Sequence, residues 1–343
     1  MSHVLIRADG SKKIGMGHIN RCYLLATYLQ DKYNLQVILL VRENKSARRF
    51  ILSKKQSLKV IYLNSDFSYT QEINFIIKLI DTNKIKLLIL DLLDVENECN
   101  YLNLLNEINT PLCVITDDSY YREFPVNLII NGNPNQLEDN YIGLKDKYLI
   151  GPKFFIMDKS YSTIPRKNNS KSNVLLSLGG TDHNNIIFVT LKALIKSKSV
   201  EKIVVISSKS SGYSMKLENL SIENKDTEIE LHFDVESLST YWQTCGLAIT
   251  AGGNTLFERI ASGIPGASIC QLKRQMEIAT SFENLKVNVN LGFGPNLSEK
   301  ELSLSIEKFL KNDSSHLIQS KYSSKIVPGK GLELCANEII KLI

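Results

Sequence analysis

The feature that most constrains this chain is a recurring unit: a short, unbroken apolar run, then a glycine-rich or polar turn, then a helical pattern. Apolar runs without polar alternation are strands buried on both faces, and strands alternating with helices build a parallel sheet covered by helices on either side. His3 to Ala8 is the first such run, followed by a loop and a helix from about His18 to Lys32. Leu35–Val41, Lys86–Asp91, Leu112–Thr116 and Asn127–Ile130 read as further strands, with helices over Tyr69–Thr82 and Glu96–Ile108. A polar stretch from Asp158 to Ser172, holding Pro165, reads as a linker. Beyond it the pattern restarts, with strands at Asn173–Leu178, Lys202–Ser207, Glu228–Phe233, Gly246–Thr250 and Gly266–Cys270. A last helix follows Gly329-Lys330-Gly331.

A length of 343 residues suits two such domains better than one. The expected division is an N-terminal Rossmann-like domain over 1–157 and a C-terminal one over 173–343. Ligands of these sheets bind beyond the carboxyl ends of the strands, so two facing sheets are expected to share a central cleft. Net charge is only +5, with no long basic run, which fits an anionic small ligand and argues against nucleic acid. The six cysteines are scattered, without a C-x-x-C pair, and read as reduced core residues. Met1 leads into a strand, and no apolar stretch approaches the roughly 20 residues that cross a bilayer. A cytoplasmic protein without membrane insertion is expected; the oligomeric state stays open.

Two loops carry chemistry. In the first, Arg7, Asp9 and Ser11 precede Gly15-Met16-Gly17-His18, with Arg21 one turn later. The glycines let backbone approach a ligand and deliver His18 to the first turn of a helix, where the positive dipole end disfavours imidazolium. A neutral His18 is a general base for water or a sugar hydroxyl; the alternative is a first-turn residue with a purely structural place. Walker A and dinucleotide fingerprints both fail here, so neither ATP nor NAD is expected.

The second loop is Gly252-Gly253-Asn254-Thr255, with Glu258 one turn on. Glycines at a strand-to-helix turn present N–H groups to a diphosphate, Thr255 adds a hydroxyl, and Glu258 suits ribose hydroxyls. Gln275 falls near the next helix start, and Gly179-Gly180-Thr181 ends the first strand of the same domain. Paired acids (Asp91 with Asp94, Asp117 with Asp118) read as loop solvation or capping, so no metal and no cofactor is expected.

These motifs resemble known enzymes. Gly252 to Thr255, Glu258, Gly263-Ile264-Pro265 and Gln275 resemble the donor site of GT-B glycosyltransferases. The run Arg7, Asp9, Ser11, Ile14, Gly15, Gly17, His18, Arg21 resembles the narrower PseG family, which hydrolyses UDP-2,4-diacetamido-2,4,6-trideoxy-β-L-altropyranose, and the related spore-coat polysaccharide proteins. Leu178 to Asp182 and Tyr148 to Pro152 extend the likeness. The resemblance implies a GT-B fold, a UDP-sugar substrate, no metal and His18 in the catalytic position, with Asp9 and Arg7 beside it. Two departures stand out: Leu92 and Leu93 follow Asp91 where the family carries Asp-His-Tyr, and Lys273-Arg274 precede Gln275 where an acid and Asn are usual. The leading expectation is a nucleotide-sugar hydrolase. A glycosyltransferase and a non-catalytic nucleotide-sugar-binding module are the alternatives.

Overall fold

The computed structural model describes residues 3–11, 14–54, 57–92, 108–117, 126–141, 147–163, 170–179, 182, 184–209 and 212–343. Most of the helix expected over Glu96–Ile108, together with Gly180 and Thr181, lies outside them.

Among the described residues the first sheet has seven parallel strands in the order β3-β2-β1-β4-β5-β6-β7. They are β1 (His3–Ala8), β2 (Gln36–Arg42), β3 (Lys59–Leu63), β4 (Ile85–Asp91), β5 (Leu112–Ile115), β6 (Leu128–Asn131) and β7 (Tyr148–Ile150). The helices are α1 (Gly17–Tyr33), α2 (Lys45–Leu52) and α3 (Tyr69–Asn83). Side chains of a strand alternate between faces. Val4, Ile6 and Ala8 therefore pack with Ile19 and Cys22 of α1, while Leu5 packs with Ile73 and Ile76 of α3 on the opposite face. Chain order reverses between β1 and β4, and this switch point is where open α/β sheets place their ligands. In register, Ala8 of β1 sits beside Asp91 of β4.

The second sheet repeats the plan with six parallel strands, β10-β9-β8-β11-β12-β13. These are β8 (Asn173–Ser177), β9 (Lys202–Ser207), β10 (Glu228–Phe233), β11 (Leu247–Ala251), β12 (Gly266–Cys270) and β13 (Val289–Phe293). Its helices are α4 (Ile186–Ile195), α5 (Ser214–Glu223), α6 (Asn254–Ala261), α7 (Lys273–Asn284), α8 (Glu299–Leu310) and α9 (Asp313–Ile326). The switch point here lies between β8 and β11, whose ends carry Gly179 and Gly252.

The compact units are 1–158 with 330–343, and 159–329. The expected boundary is thus corrected at the tail: helix α10 (Gly331–Ile339) packs on the first unit, not the second. Leu332, Cys335, Ala336 and Ile339 join the apolar cluster of α1, so one amphipathic face decides where the helix goes. A Cβ at Gly331 would lie 2.0 Å from the Phe155 carbonyl oxygen, which makes glycine obligatory where α10 begins. The expected linker is partly ordered, since Lys159–Ser162 form a 3-10 turn with Tyr161 buried. The five described cysteines are buried free thiols. No helix among the described residues is long and apolar enough to cross a membrane.

Candidate functional site

At the first switch point, Gly15 takes a left-handed backbone (φ +83°) and Ser11 pairs with it, Ser11 N–H donating to the Gly15 oxygen (3.2 Å) and Gly15 N–H to the Ser11 oxygen (2.8 Å). Gly17 then opens α1 with no side-chain cap, and His18 follows in the first turn. His18 and Arg21 share a helix face three residues apart, and that face meets Asp91, the last residue of β4.

Asp91 is fully buried and organises the group. Nδ1 of His18 lies 2.7 Å from its Oδ1, and Arg21 donates from Nε to Oδ2 and from Nη2 to Oδ1, both at 2.6 Å. Cys22 adds a thiol contact at 3.3 Å. Burial alone would raise the Asp91 carboxyl, but the charges of Arg21 and His18 and their hydrogen bonds hold it well below the usual carboxylate range. Only an acceptor sits there, so Nδ1 of His18 carries the hydrogen and Nε2 is left as the basic nitrogen. The 3.0 Å approach of Arg21 Nη2 to that same Nδ1 sets two N–H groups side by side and is not a hydrogen bond, because Nη2 already donates to Asp91.

Asp117, two residues past β5, closes the other side. Arg21 Nη1 donates to its Oδ1 at 3.0 Å, and Oδ2 stands 3.7 Å from Nε2 of His18. Its backbone oxygen accepts from Asn133 Nδ2. Burial pushes its carboxyl up and Asp91 adds to that, yet Arg21 and His18 bring it below the ordinary range. Sequence reasoning passed over both acids as pairs with Asp94 and Asp118. The available signal was their position at the carboxyl ends of the strands flanking the switch point.

Arg7 does not join this group. It follows Leu5 in alternation and faces α3, on the other side of the sheet from His18. There it is 1% exposed, donates to Glu72 at 2.7 Å and forks onto Asp9 at 2.6 and 2.8 Å. Asp9 also accepts the backbone N–H of Arg42 at 2.9 Å, and Glu72 binds the Arg42 guanidinium. Asp9 is held below the ordinary carboxylate range, burial opposing Arg7 and Arg42. This second network ties β1, β2 and α3 together and fixes the start of the His18 loop.

At the second switch point, Gly252 follows β11 and Gly253 precedes α6, which has no side-chain cap. Asn254 and Thr255 are half-buried and make no hydrogen bonds through their side chains to the described residues, so the first amides and the Thr255 hydroxyl are available donors. Gln275 of α7 reaches this turn: a Cβ on Gly252 would fall 2.9 Å from the Gln275 Cβ and 2.8 Å from Cys270 Sγ. The side-chain Oε1 of Gln275 accepts Gln271 N–H at 2.8 Å, turning Nε2 toward Gly253. Gln271 Nε2 donates to the Leu178 oxygen at 2.6 Å, binding this turn to the end of β8 beside Gly179 (φ +82°). The neighbouring helix α4 differs: Asp182 accepts Ile186 N–H (3.0 Å) and Ile187 N–H (2.8 Å), so its N-terminus is already occupied by a carboxylate. The glycine turn before α6 is open to an anion. Glu258 is half-buried on α6.

Two doubly wound parallel sheets, each with a glycine turn at its switch point, make this a GT-B-type α/β protein. No protein-family profile matches the chain. It is 24% identical over 339 residues to the spore coat polysaccharide biosynthesis protein SpsG of Bacillus subtilis, covering 96% of this chain and 95% of that protein. It is 24% identical over 283 residues to the UDP-2,4-diacetamido-2,4,6-trideoxy-β-L-altropyranose hydrolase of Campylobacter jejuni, covering 81% and 94%. An uncharacterized protein of Methanocaldococcus jannaschii is 25% identical over 286 residues; the match takes 80% of this chain and spans 57% of that longer protein. In structure the chain is similar to MurG of Acinetobacter baumannii (TM-score 0.73, 12% identity, 99% and 100% covered). It is also similar to the spinosyn rhamnosyltransferase SpnG complexed with thymidine diphosphate (TM-score 0.66, 13% identity, 98% and 99% covered).

Proposed function

We propose that the protein acts on a nucleotide sugar and splits it hydrolytically into free sugar and nucleoside diphosphate. The observation that carries this reading is the His18–Asp91 pair: a buried carboxylate takes the Nδ1 hydrogen and leaves Nε2 as a base in the first turn of α1. In the second unit, Gly252, Gly253 and the first amides of α6 receive the diphosphate, with Thr255 donating its hydroxyl and Asn254, Gln275 and Gly179 lining the turn. Glu258 accepts the ribose hydroxyls. In the first unit, Gly15 and Gly17 free the backbone ahead of His18, Arg21 holds both acids in place, and Asp9 anchors the loop. The chemistry is general-base attack of water at the anomeric carbon, with the bond to the diphosphate oxygen breaking.

Uracil as the base, a diacetamido-deoxy sugar, and a place in pseudaminic-acid-like or surface polysaccharide synthesis are supported by the names of the Campylobacter and Bacillus relatives. Both oxygens of Asp91 are taken by His18 and Arg21, which supports chemistry run by this chain's own side chains, without metal or cofactor. A glycosyltransferase is the second reading, favoured by the fold of its structural neighbours. Incubation of UDP-2,4-diacetamido-2,4,6-trideoxy-β-L-altropyranose in oxygen-18 water separates them. Hydrolysis at carbon labels the sugar and leaves UDP unlabelled. The substitution His18→Asn is expected to cut turnover about 10²–10⁴-fold while sparing UDP affinity. Turnover within a few-fold of the parent, or label on UDP, overturns the reading.

A further inference from the structure

We propose that Asp117 is a second catalytic residue, which accepts one hydrogen of the attacking water while His18 takes the other and thereby selects water over an alcohol. The inference deepens the hydrolase reading and rests on it. Oδ1 of Asp117 is engaged by Arg21 Nη1 at 3.0 Å, so Oδ2 is the oxygen left over, and it stands 3.7 Å from Nε2 of His18. Neither atom has a hydrogen-bond partner among the described residues. The groups facing His18 from the packed elements are Asp91 of β4, Asp117 after β5, and Arg21 of its own helix. With Nδ1 committed to Asp91, Nε2 of the unprotonated imidazole and Oδ2 are both acceptors.

Two acceptors at that separation are too distant to bond directly and require a donor in common. A molecule seated about 2.8 Å from each has room for both contacts. Water brings two hydrogens and satisfies both atoms. A hydroxyl of an acceptor sugar or lipid brings one, and can serve the buried imidazole or the carboxylate but not both. The same pairing aims a lone pair of the water oxygen away from both acceptors.

In the step itself, the water oxygen forms a bond to the anomeric carbon. The bond from that carbon to the diphosphate oxygen breaks, and its electron pair leaves with the diphosphate. One water proton passes to Nε2 of His18, and the other stays on the new sugar hydroxyl, still donated to Asp117.

The test is the partition of products in water–methanol mixtures with the UDP-sugar named above. The parent is expected to yield free sugar, with methyl glycoside under-represented at least about tenfold against the mole fraction of methanol, as one lost hydrogen bond to a charged group implies. In Asp117→Asn, a change that conserves size, Arg21 Nη1 holds the amide oxygen and turns Nδ2 toward the water. That variant loses the second acceptor, so hydrolysis falls and methyl glycoside rises toward the mole fraction. Melting temperature and UDP affinity report folding independently, and a purely structural Asp117 would leave the partition unmoved. Methanol incorporated in proportion by the parent overturns the proposal without any variant, as does an Asn variant with the parent's partition. A parent that releases no free sugar at all removes the hydrolase reading and this inference with it.

Discussion

Replacing Asp91 by Asn tests the centre of the site, because every contact that Asp91 makes is to a donor. Its carboxylate accepts from His18 Nδ1, Arg21 Nε and Arg21 Nη2 at 2.6–2.7 Å. Asparagine keeps one acceptor and sets an NH₂ against the other donors. If its oxygen stays with His18, the amide points at Arg21 Nε; if it turns to Arg21, His18 must expose Nδ1 as acceptor and place its hydrogen on Nε2. Either arrangement leaves a buried guanidinium half-paired, a loss of about 3–5 kcal/mol by analogy with broken buried ion pairs. For a unit of this size about 2–4 °C accompanies each kcal/mol, so calorimetry should show a fall on the order of 6–20 °C. Turnover should drop by about 10²–10⁴ beyond any loss of folded protein, since His18 either takes the wrong tautomer or loses the carboxylate charge that stabilises its protonated form. The pH dependence follows the same logic. A carboxyl whose folded value is depressed contributes stability that is complete above its unfolded value, about 3.9, and drains away as pH falls through and below it. The parent should thus lose stability steeply under acid conditions, and Asp91→Asn should lose less over that window. A variant within about 1 kcal/mol of the parent, with an unchanged acid limb and turnover within a few-fold, would refute the reasoning.

Thr255→Val removes a hydroxyl at the open start of α6 and should weaken UDP binding by about 1–3 kcal/mol in titration calorimetry; unchanged affinity argues against a diphosphate there. Arg7→Met strips the cation between Glu72 and Asp9 and should cost about 3–5 kcal/mol in chemical denaturation, with UDP affinity of the other unit intact. A selective loss of turnover at unchanged stability would instead return Arg7 to the chemistry. Gly252→Ala drives a methyl to within 2.8 Å of Cys270 Sγ, and should lower both stability and UDP affinity, read by thermal shift with and without nucleotide.

Much of this fold is legible because central parallel strands must be continuously apolar; Val-Leu-Ile in β1 and Leu-Leu-Ile-Leu in β4 admit no other place. The strands the sequence hides are edge or short ones: β3, with only four apolar residues after Lys59, β13, whose pattern is broken by Asn290 and Gly292, and three-residue β7. At the site, the glycine turns and His18 announce themselves by local spacing. Asp91 and Asp117 do not, because their meaning comes from strand order, which brings residues 73 and 96 positions from His18 and Arg21 respectively onto one helix face. Arg7 was misplaced for the opposite reason. Proximity in sequence to His18 suggested a shared site, although simple alternation from Leu5 assigns it to the other face.

The excursion of the tail has a bearing on how the molecule is made. The unit carrying the open glycine turn is one uninterrupted stretch, 159–329, whereas the unit carrying His18 is assembled from two stretches, 1–158 and 330–343. On a ribosome adding about 5–20 residues per second, the earlier stretch waits on the order of ten to thirty seconds for Leu332, Cys335, Ala336 and Ile339 to cover the apolar side of α1. Translation therefore delivers the unit with the open glycine turn in finished form while the unit bearing His18 is still uncapped. During that interval the nascent chain presents a sticky stripe on α1 to chaperones, and to sister chains on the same messenger.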